Sequence, residues 1–358
     1  MSIRTLVVGF GYAAQTFHVP FLEAIDAFFI DGVVSSDSAK VERVLPGVRV
    51  YDNLETALQQ AQFDLVIVTT PNHLHAPQTE LALSAGCHVL VEKPFTLSAS
   101  EAQTLVTLAK QQQRHLCVFH NRRFDGDFLT IKQLLAELAV GEVKRFENRF
   151  DRFRPQPRNR WRENAGPGSG IFWDLGPHLI DQCLQLFGLP DTVSASINTL
   201  RAGGESDDAF DVNLHYPTLQ AVVGSSPFEA APTLRFSLQG TAGSYRKYHL
   251  DPQEAQLKNH RKPGDADWAI TPTEQHGVLY KADSHQIYPT LTGDYTGFYT
   301  QLGKALEPGA TTPVPVPADT IVNVIAVIEL AKKAALTGTR LPVDTAKLNS
   351  QAGAGASD

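Results

Sequence analysis

Ile3 to Val8 is a short apolar run that leads straight into Gly9-Phe10-Gly11-Tyr12-Ala13-Ala14, after which a helical pattern begins. Strand, tight glycine turn and helix in that order make a dinucleotide site. Gly9 permits the sharp turn, and Gly11 lets the backbone approach a pyrophosphate. Ala14, small where a third glycine often sits, lets helix and strand pack closely. The phosphates then meet the unpaired N–H groups and the positive dipole end of the helix. Gly9, Gly11, Tyr12 and Ala13 are therefore the candidate cofactor cradle.

The next hundred residues repeat the theme. Strand patterns run over residues 28–35, 48–51, 64–69, 88–91 and 115–119, and helices fit the stretches after Ala14, Asn53, Ala76 and Ser98. Ser98 is a capping residue with Glu101 three positions on, and Ala102, Leu105 and Leu108 recur at helical spacing. Repeated strand–helix units imply a parallel sheet with helices on both faces, which binds ligands at the carboxyl ends of its strands.

After Phe124 the pattern changes. A helix over 128–138, a strand over 141–153 and a helix over 179–186 precede strands at 193–200, 210–216, 220–226 and 234–239. Consecutive strands of this kind predict an α+β domain with a large, mainly antiparallel open sheet. Residues 251–273 read as a long surface loop, 321–336 as a helix, and the Gly/Ala/Ser-rich tail 349–358 as disordered. The expected division is 1–121 for the dinucleotide domain and 122–348 for the substrate-binding domain.

The chain of 358 residues carries a formal net charge of −7 and no arginine-rich run, which speaks against a nucleic-acid partner. No apolar stretch approaches a membrane span, and the first strand begins too early for a signal peptide. Cys87, Cys117 and Cys183 are widely spaced, as expected of buried thiols in a reducing cytoplasm.

Chemistry concentrates at the strand exits. The second strand ends in Ser35-Ser36-Asp37. The two hydroxyls donate to a 2′-phosphate, with Lys40 and Arg43 nearby, so NADP is favoured. If Asp37 faces the ribose instead, NAD is the better cofactor. The fourth exit presents Thr70, Asn72 and His75 toward the nicotinamide ribose. The fifth is Glu92-Lys93-Pro94, a buried run ending in an adjacent acid and base. A lysine there faces the ligand crevice, where partial burial or positive neighbours lower its pKa enough to trade a proton with a hydroxyl. Asn121 and Arg122, just past the last strand, offer donors to a polyhydroxylated or anionic substrate.

The second strong signal is Gly168-Ser169-Gly170-Ile171-Phe172-Trp173-Asp174-Leu175-Gly176-Pro177-His178. Asp174 and His178, four apart, share a helix face, and Pro177 reads as the opening of the helix proper. The pair lacks a third ligand with metal spacing, so no metal is expected. Arg122, Arg123, Arg154, Arg158 and Arg162 suit an acidic sugar or a phosphate.

The amino-terminal G-x-G-x-x-A, the Glu92-Lys93-Pro94 triplet and the Asp174-to-His178 segment together resemble the glucose–fructose oxidoreductase / inositol dehydrogenase / MocA family, over nearly the whole chain. The resemblance implies a Rossmann domain followed by an α/β domain whose open sheet often mediates dimers. It implies Lys93 and His178 as catalytic residues, with Asp174 beside them binding substrate or orienting the others. It also implies Asn72 and His75 as nicotinamide-side contacts, and Trp161 and Arg162 as a cofactor- or substrate-contacting pair. Ser35 and Ser36 resemble the NADP-using members, which often follow with arginine where this chain has Asp37.

The expected reaction is reversible hydride transfer between a secondary alcohol of a sugar or cyclitol and nicotinamide. Lys93, His178 and Asp174 would carry it, with Lys93, Asn121, Arg122, Asp174 and His178 around the substrate. Lys93 and His178, from separate halves, would act at one pyridine ring. Two rivals use the same scaffold: a glycosidase working through bound NAD, and a non-catalytic NADP-binding redox sensor.

Overall fold

The computed structural model describes residues 2–344 and 348. The chain divides into two compact units. The first takes the chain up to Asn121, Gln253–Trp268 and Asp294–Val322; the second takes Arg122–Pro252, Ala269–Gly293 and the chain from Asn323 on. A single boundary after residue 121 describes the first crossing between units and omits two returns. The expected tail over 349–358 lies outside the described residues.

The first unit opens with strands β1 (Ile3–Val8), β2 (Phe28–Val34), β3 (Arg49–Tyr51), β4 (Leu65–Val68), β5 (His88–Glu92) and β6 (Leu116–Phe119). They form one parallel sheet in the order β3-β2-β1-β4-β5-β6. Leu6 to Val8 and Leu65 to Val68 have no exposed surface. That is expected of central parallel strands covered on both faces. The order reverses between β1 and β4, so their carboxyl ends open the ligand crevice. The crossovers are α1 (Val19–Ala24), α2 (Ser38–Val44), α3 (Leu54–Gln60), α4 (His75–Ser84) and α5 (Ala99–Gln111). Ser98 caps α5 as its spacing predicts, its hydroxyl accepting the Glu101 N–H at 3.1 Å. The helix after the glycine turn begins as a π-helical turn over Ala14–His18.

The second unit contains α6 (Gly126–Ala136), β7 (Val143–Arg149), α7 (Ile171–Phe187), β8 (Thr192–Asn198), β9 (Ala209–His215), β10 (Gln220–Ser225), β11 (Leu234–Gly240), β12 (Gly243–Tyr248), β13 (Gly277–Tyr280), β14 (His285–Tyr288) and β15 (Leu341–Pro342). These make a nine-stranded sheet, β14-β13-β12-β11-β7-β10-β9-β8-β15, antiparallel except where β10 runs parallel to β7. One face packs on α7 through contacts such as Phe172 on Phe210, ring centroids 5.1 Å apart. The sequence reading omitted β12 to β14, whose polar, exposed positions blur the alternation.

Two later segments return to the first unit. α8 (Gln253–Lys258) lies where a surface loop was expected, with Gln253 and Leu257 buried. The Gln253 side chain accepts the Tyr295 N–H at 2.9 Å, starting α9 (Tyr295–Ala305). On α9, Tyr299 stacks on Phe21 with centroids 4.9 Å apart. A six-residue helix with a single apolar anchor has too little periodicity to be read locally. The last helix, α10, spans Asp319–Thr337.

Candidate functional site

The glycine turn is built on two backbone constraints. Gly9 sits at φ +89°, and a Cβ there would lie 3.0 Å from Thr69 Oγ1 and 3.2 Å from the Thr69 carbonyl carbon. Thr69 fixes that approach by donating its hydroxyl to the carbonyls of Val8 at 3.1 Å and Gly9 at 3.0 Å. At Gly11 a Cβ would meet no atom within 4 Å. The crevice beside it, about 360 Å³, is lined by Gly9, Gly11, Ser35, Ser36, Asp37 and Lys40 among others. A pinned turn that opens into free space over a helix start fits a dinucleotide pyrophosphate. Ala14 is fully buried, and Tyr12 is half exposed.

Asp37 is the N-cap of α2, its carboxylate accepting the Lys40 N–H at 2.9 Å. The Ser35 hydroxyl accepts the Asp37 N–H at 3.1 Å. The acid that complicated the cofactor assignment is therefore turned onto its own helix.

At the fourth and fifth exits the structure assigns new tasks. Asn72 and His75 are buried. The His75 ring lies between two backbone carbonyls, Nδ1 2.7 Å from Pro94 O and Nε2 2.9 Å from Thr70 O, and the single N–H of the neutral ring donates to one of them. Burial pushes its imidazolium below the ordinary histidine range. Both ring nitrogens of His75 thus lie against carbonyls of the first unit. Thr70 bonds Gln78, Oγ1 to Oε1 at 2.6 Å.

Glu92 is buried, and its Oε1 lies 3.1 Å from His18 Nε2. Its Oε2 accepts the Lys93 N–H at 3.1 Å. Tyr299 Oη completes the line, 3.0 Å from His18 Nδ1 and donating to the Phe17 carbonyl at 2.5 Å. Burial works to raise the Glu92 carboxyl, but the His18 bond and the charges of His18 and Lys93 outweigh it and hold the group below its usual range. An anionic, doubly anchored Glu92 fixes the backbone from which Lys93 projects. His18 and Tyr299 escaped the sequence reading; a histidine inside an apolar helix start, at Phe17-His18-Val19-Pro20, was the available signal. Asn121, also in this unit, is buried.

In the second unit, α7 starts at Ile171, so Pro177 lies inside the helix rather than opening it. The reason is tertiary. Asp207, remote in sequence, accepts the Phe172 N–H at 2.6 Å and caps the helix there. Gly170 makes room for it: at φ +96°, its Cβ would fall 2.0 Å from Asp207 Oδ2. Burial drives the Asp207 carboxyl up to about 6. Asp174 and His178 follow on one face of α7, with Asp174 part-exposed and His178 buried. Arg162 Nε lies 3.8 Å from Asp174 Oδ1, and its guanidinium stacks 4.6 Å from the centre of the exposed Trp161 ring. Arg122 is buried, 3.3 Å from Asp125 and over the Phe150 ring at 4.7 Å, so its charge serves the interior. Arg123 makes a bidentate pair with Asp181 at 2.8 and 2.6 Å.

Residues 3–120 match the oxidoreductase family with an NAD-binding Rossmann fold, and residues 128–246 match the GFO/IDH/MocA C-terminal domain. The chain belongs to the GFO/IDH/MocA oxidoreductase family. It is 42% identical over 338 residues to YdgJ, an uncharacterized oxidoreductase of Escherichia coli (strain K12), covering 93% of this chain and 96% of that one. It is 36% identical over 334 residues to IolW of Bacillus subtilis (strain 168), named scyllo-inositol 2-dehydrogenase (NADP(+)), covering 92% and 93%. The solved structure of an oxidoreductase from Bacillus cereus aligns with a TM-score of 0.85 at 28% identity, covering 96% and 99%. GFO/IDH/MocA membership makes residues 3–120 an NAD-binding Rossmann domain of an oxidoreductase family. Among the described residues no helix is long and apolar enough to cross a membrane.

Proposed function

We propose that this GFO/IDH/MocA protein is a dehydrogenase that reversibly oxidises a secondary alcohol of a sugar or cyclitol, with NADP as the preferred cofactor and NAD the lesser one. The observation that carries the reading is Lys93 at the exit of β5, its backbone anchored by a buried anionic Glu92 in the same sheet as the glycine cradle. The name of IolW, a relative along nearly the whole chain, supports both the cyclitol and the NADP.

Gly9, Gly11, Tyr12 and Ala13 hold the dinucleotide phosphates, and Ser35, Ser36 and Lys40 receive the 2′-phosphate. Thr70, Asn72 and Glu92 shape the nicotinamide end, with His75 set between the Thr70 and Pro94 carbonyls. The nicotinamide, when bound, supplies the hydride chemistry. The chain's part is the proton. Lys93 and His178 divide two tasks: one takes the hydroxyl proton, and the other stabilises the oxygen as negative charge grows on it. Asp174, one turn from His178, binds substrate or orients the imidazole. Trp161 and Arg162 contact cofactor or substrate.

The test is a cofactor-reduction screen with NAD and NADP against inositols, aldoses and sugar acids. Turnover with a polyol and a preference for NADP are expected. A protein that binds NADP but reduces none of it across the panel would overturn the reading.

A further inference from the structure

The second unit holds a small cavity where α7 begins, and its wall is unusually cationic. Arg152, Arg154, Arg160, Arg162 and Arg201 line it, with Asp174 at one side. Most carboxylates in the wall are already spent. Glu163 accepts from the Arg158 N–H at 2.9 Å, Arg160 at 2.6 Å and Arg201 at 2.9 Å. Asp208 accepts from the Leu200 N–H at 2.7 Å and twice from Arg201, at 3.0 and 2.9 Å. Asp207 caps α7, so the helix terminus is also taken.

Arg154 stands apart. It is part-buried and, among the described residues, has no side-chain hydrogen bond or ion pair at contact distance. Burial, then the charges of Arg152, Arg158 and Arg160, push its guanidinium down to about 10, against the opposing charge of Glu163. It stays charged at neutral pH, so a part-buried cation faces the cavity among like charges. That is an arrangement a bound anion relieves.

The cavity's size narrows the anion. It measures about 30 Å³, where one water needs roughly 10–15 Å³. Two to three oxygen-sized atoms fit, room for the two oxygens of a carboxylate and less than the four of a phosphate monoester. The location narrows it further. Asp174 lines the cavity, and His178 follows four residues on along the same helix, about 6 Å along the axis. A group held here sits beside Asp174, one helical turn from the position of His178.

We propose that this cavity binds the carboxylate of the substrate, making the substrate a sugar acid, with Arg154 as its principal anchor. The inference rests on the dehydrogenase reading above for the word substrate, and on the cavity alone for the carboxylate.

Calorimetric titration of the NADP-loaded protein separates the two. The probes are D-gluconate and D-galacturonate, their uncharged counterparts D-sorbitol and D-galactose, and inorganic phosphate. Expected are saturable binding of at least one sugar acid, at least about tenfold weaker binding of its neutral counterpart, and a similar loss in Arg154→Gln with partial rescue in Arg154→Lys. The melting temperature of Arg154→Gln should equal or exceed that of the parent, because like charges are relieved. Equal binding of acid and neutral counterpart, unchanged acid binding in Arg154→Gln, or binding of phosphate alone would overturn the carboxylate site. Turnover of neutral polyols without sugar-acid binding leaves the dehydrogenase reading standing and ends this one. Sugar-acid binding with no cofactor reduction on any inositol, aldose or sugar acid does the reverse.

Discussion

Replacing Asp37 by asparagine separates two roles the structure gives one side chain. The carboxylate caps α2 through the Lys40 N–H at 2.9 Å, and it lines the crevice beside Ser35, Ser36 and Lys40. Asparagine caps a helix about as well as aspartate, so the fold should lose no more than about 0.5 kcal/mol. The charge is another matter. Two unit charges 4 Å apart interact by about 1 kcal/mol in water and about 4 kcal/mol at an effective dielectric of 20. Asp37 is exposed, so the watery end of that range applies. A 2′-phosphate carries nearly two charges, which gives about 1–2 kcal/mol of repulsion, or roughly five- to thirtyfold in affinity. Asp37→Asn should therefore raise the NADP-to-NAD ratio of kcat/KM by that factor, and the gain should shrink with added salt. Thermal melting runs alongside, with Asp37→Ala as the control that loses about 0.5–2 kcal/mol of cap. A ratio that stays put or moves toward NAD would refute the reasoning, as would an asparagine variant as unstable as the alanine one.

Other outcomes follow from the same geometry. Tyr299→Phe removes the hydroxyl bonded to His18 and to the Phe17 carbonyl. It should cost about 1–3 kcal/mol in denaturant unfolding, and an unchanged midpoint would show that the line to Glu92 carries no stability. Lys93→Ala and His178→Ala should each lower turnover by roughly 10²–10⁴ while cofactor binding persists; near-parental rates on a verified substrate would remove them from the chemistry. Burial, then His115 and Arg114, push His88 down to about 4 from an ordinary 6.5. The folded state thus refuses a proton that the unfolded chain accepts. Stability should decline as pH falls from about 6.5 to about 4, by roughly 1–2 kcal/mol after allowing for solvent screening. His88→Gln should flatten that part of the stability–pH curve, and an identical acid limb in the variant would count against it.

The glycine turn, the parallel strands, the Ser98 cap and the Glu92-Lys93 exit were legible because each is written in neighbouring residues. A strand that must bury both faces is apolar throughout, and a turn at φ +89° needs glycine at Gly9. Short edge elements were not legible. β14 has three of its four residues exposed, and α8 has one apolar anchor, so neither carries a period. Nor could local pattern foresee that the chain after residue 252 rejoins the first unit twice.

Sequence by itself determined what kinds of chemistry this chain holds: a dinucleotide turn, a lysine at a strand end, and an aspartate and histidine one turn apart. Tertiary structure alone decided which charges are free to act. His75 and Arg122 read alike as ligand contacts, yet folding set the first against two backbone carbonyls and the second against Asp125. The physical reason is that a side chain's residue type fixes what it can bond. Only the partners brought from distant parts of the chain fix whether that bond is already made.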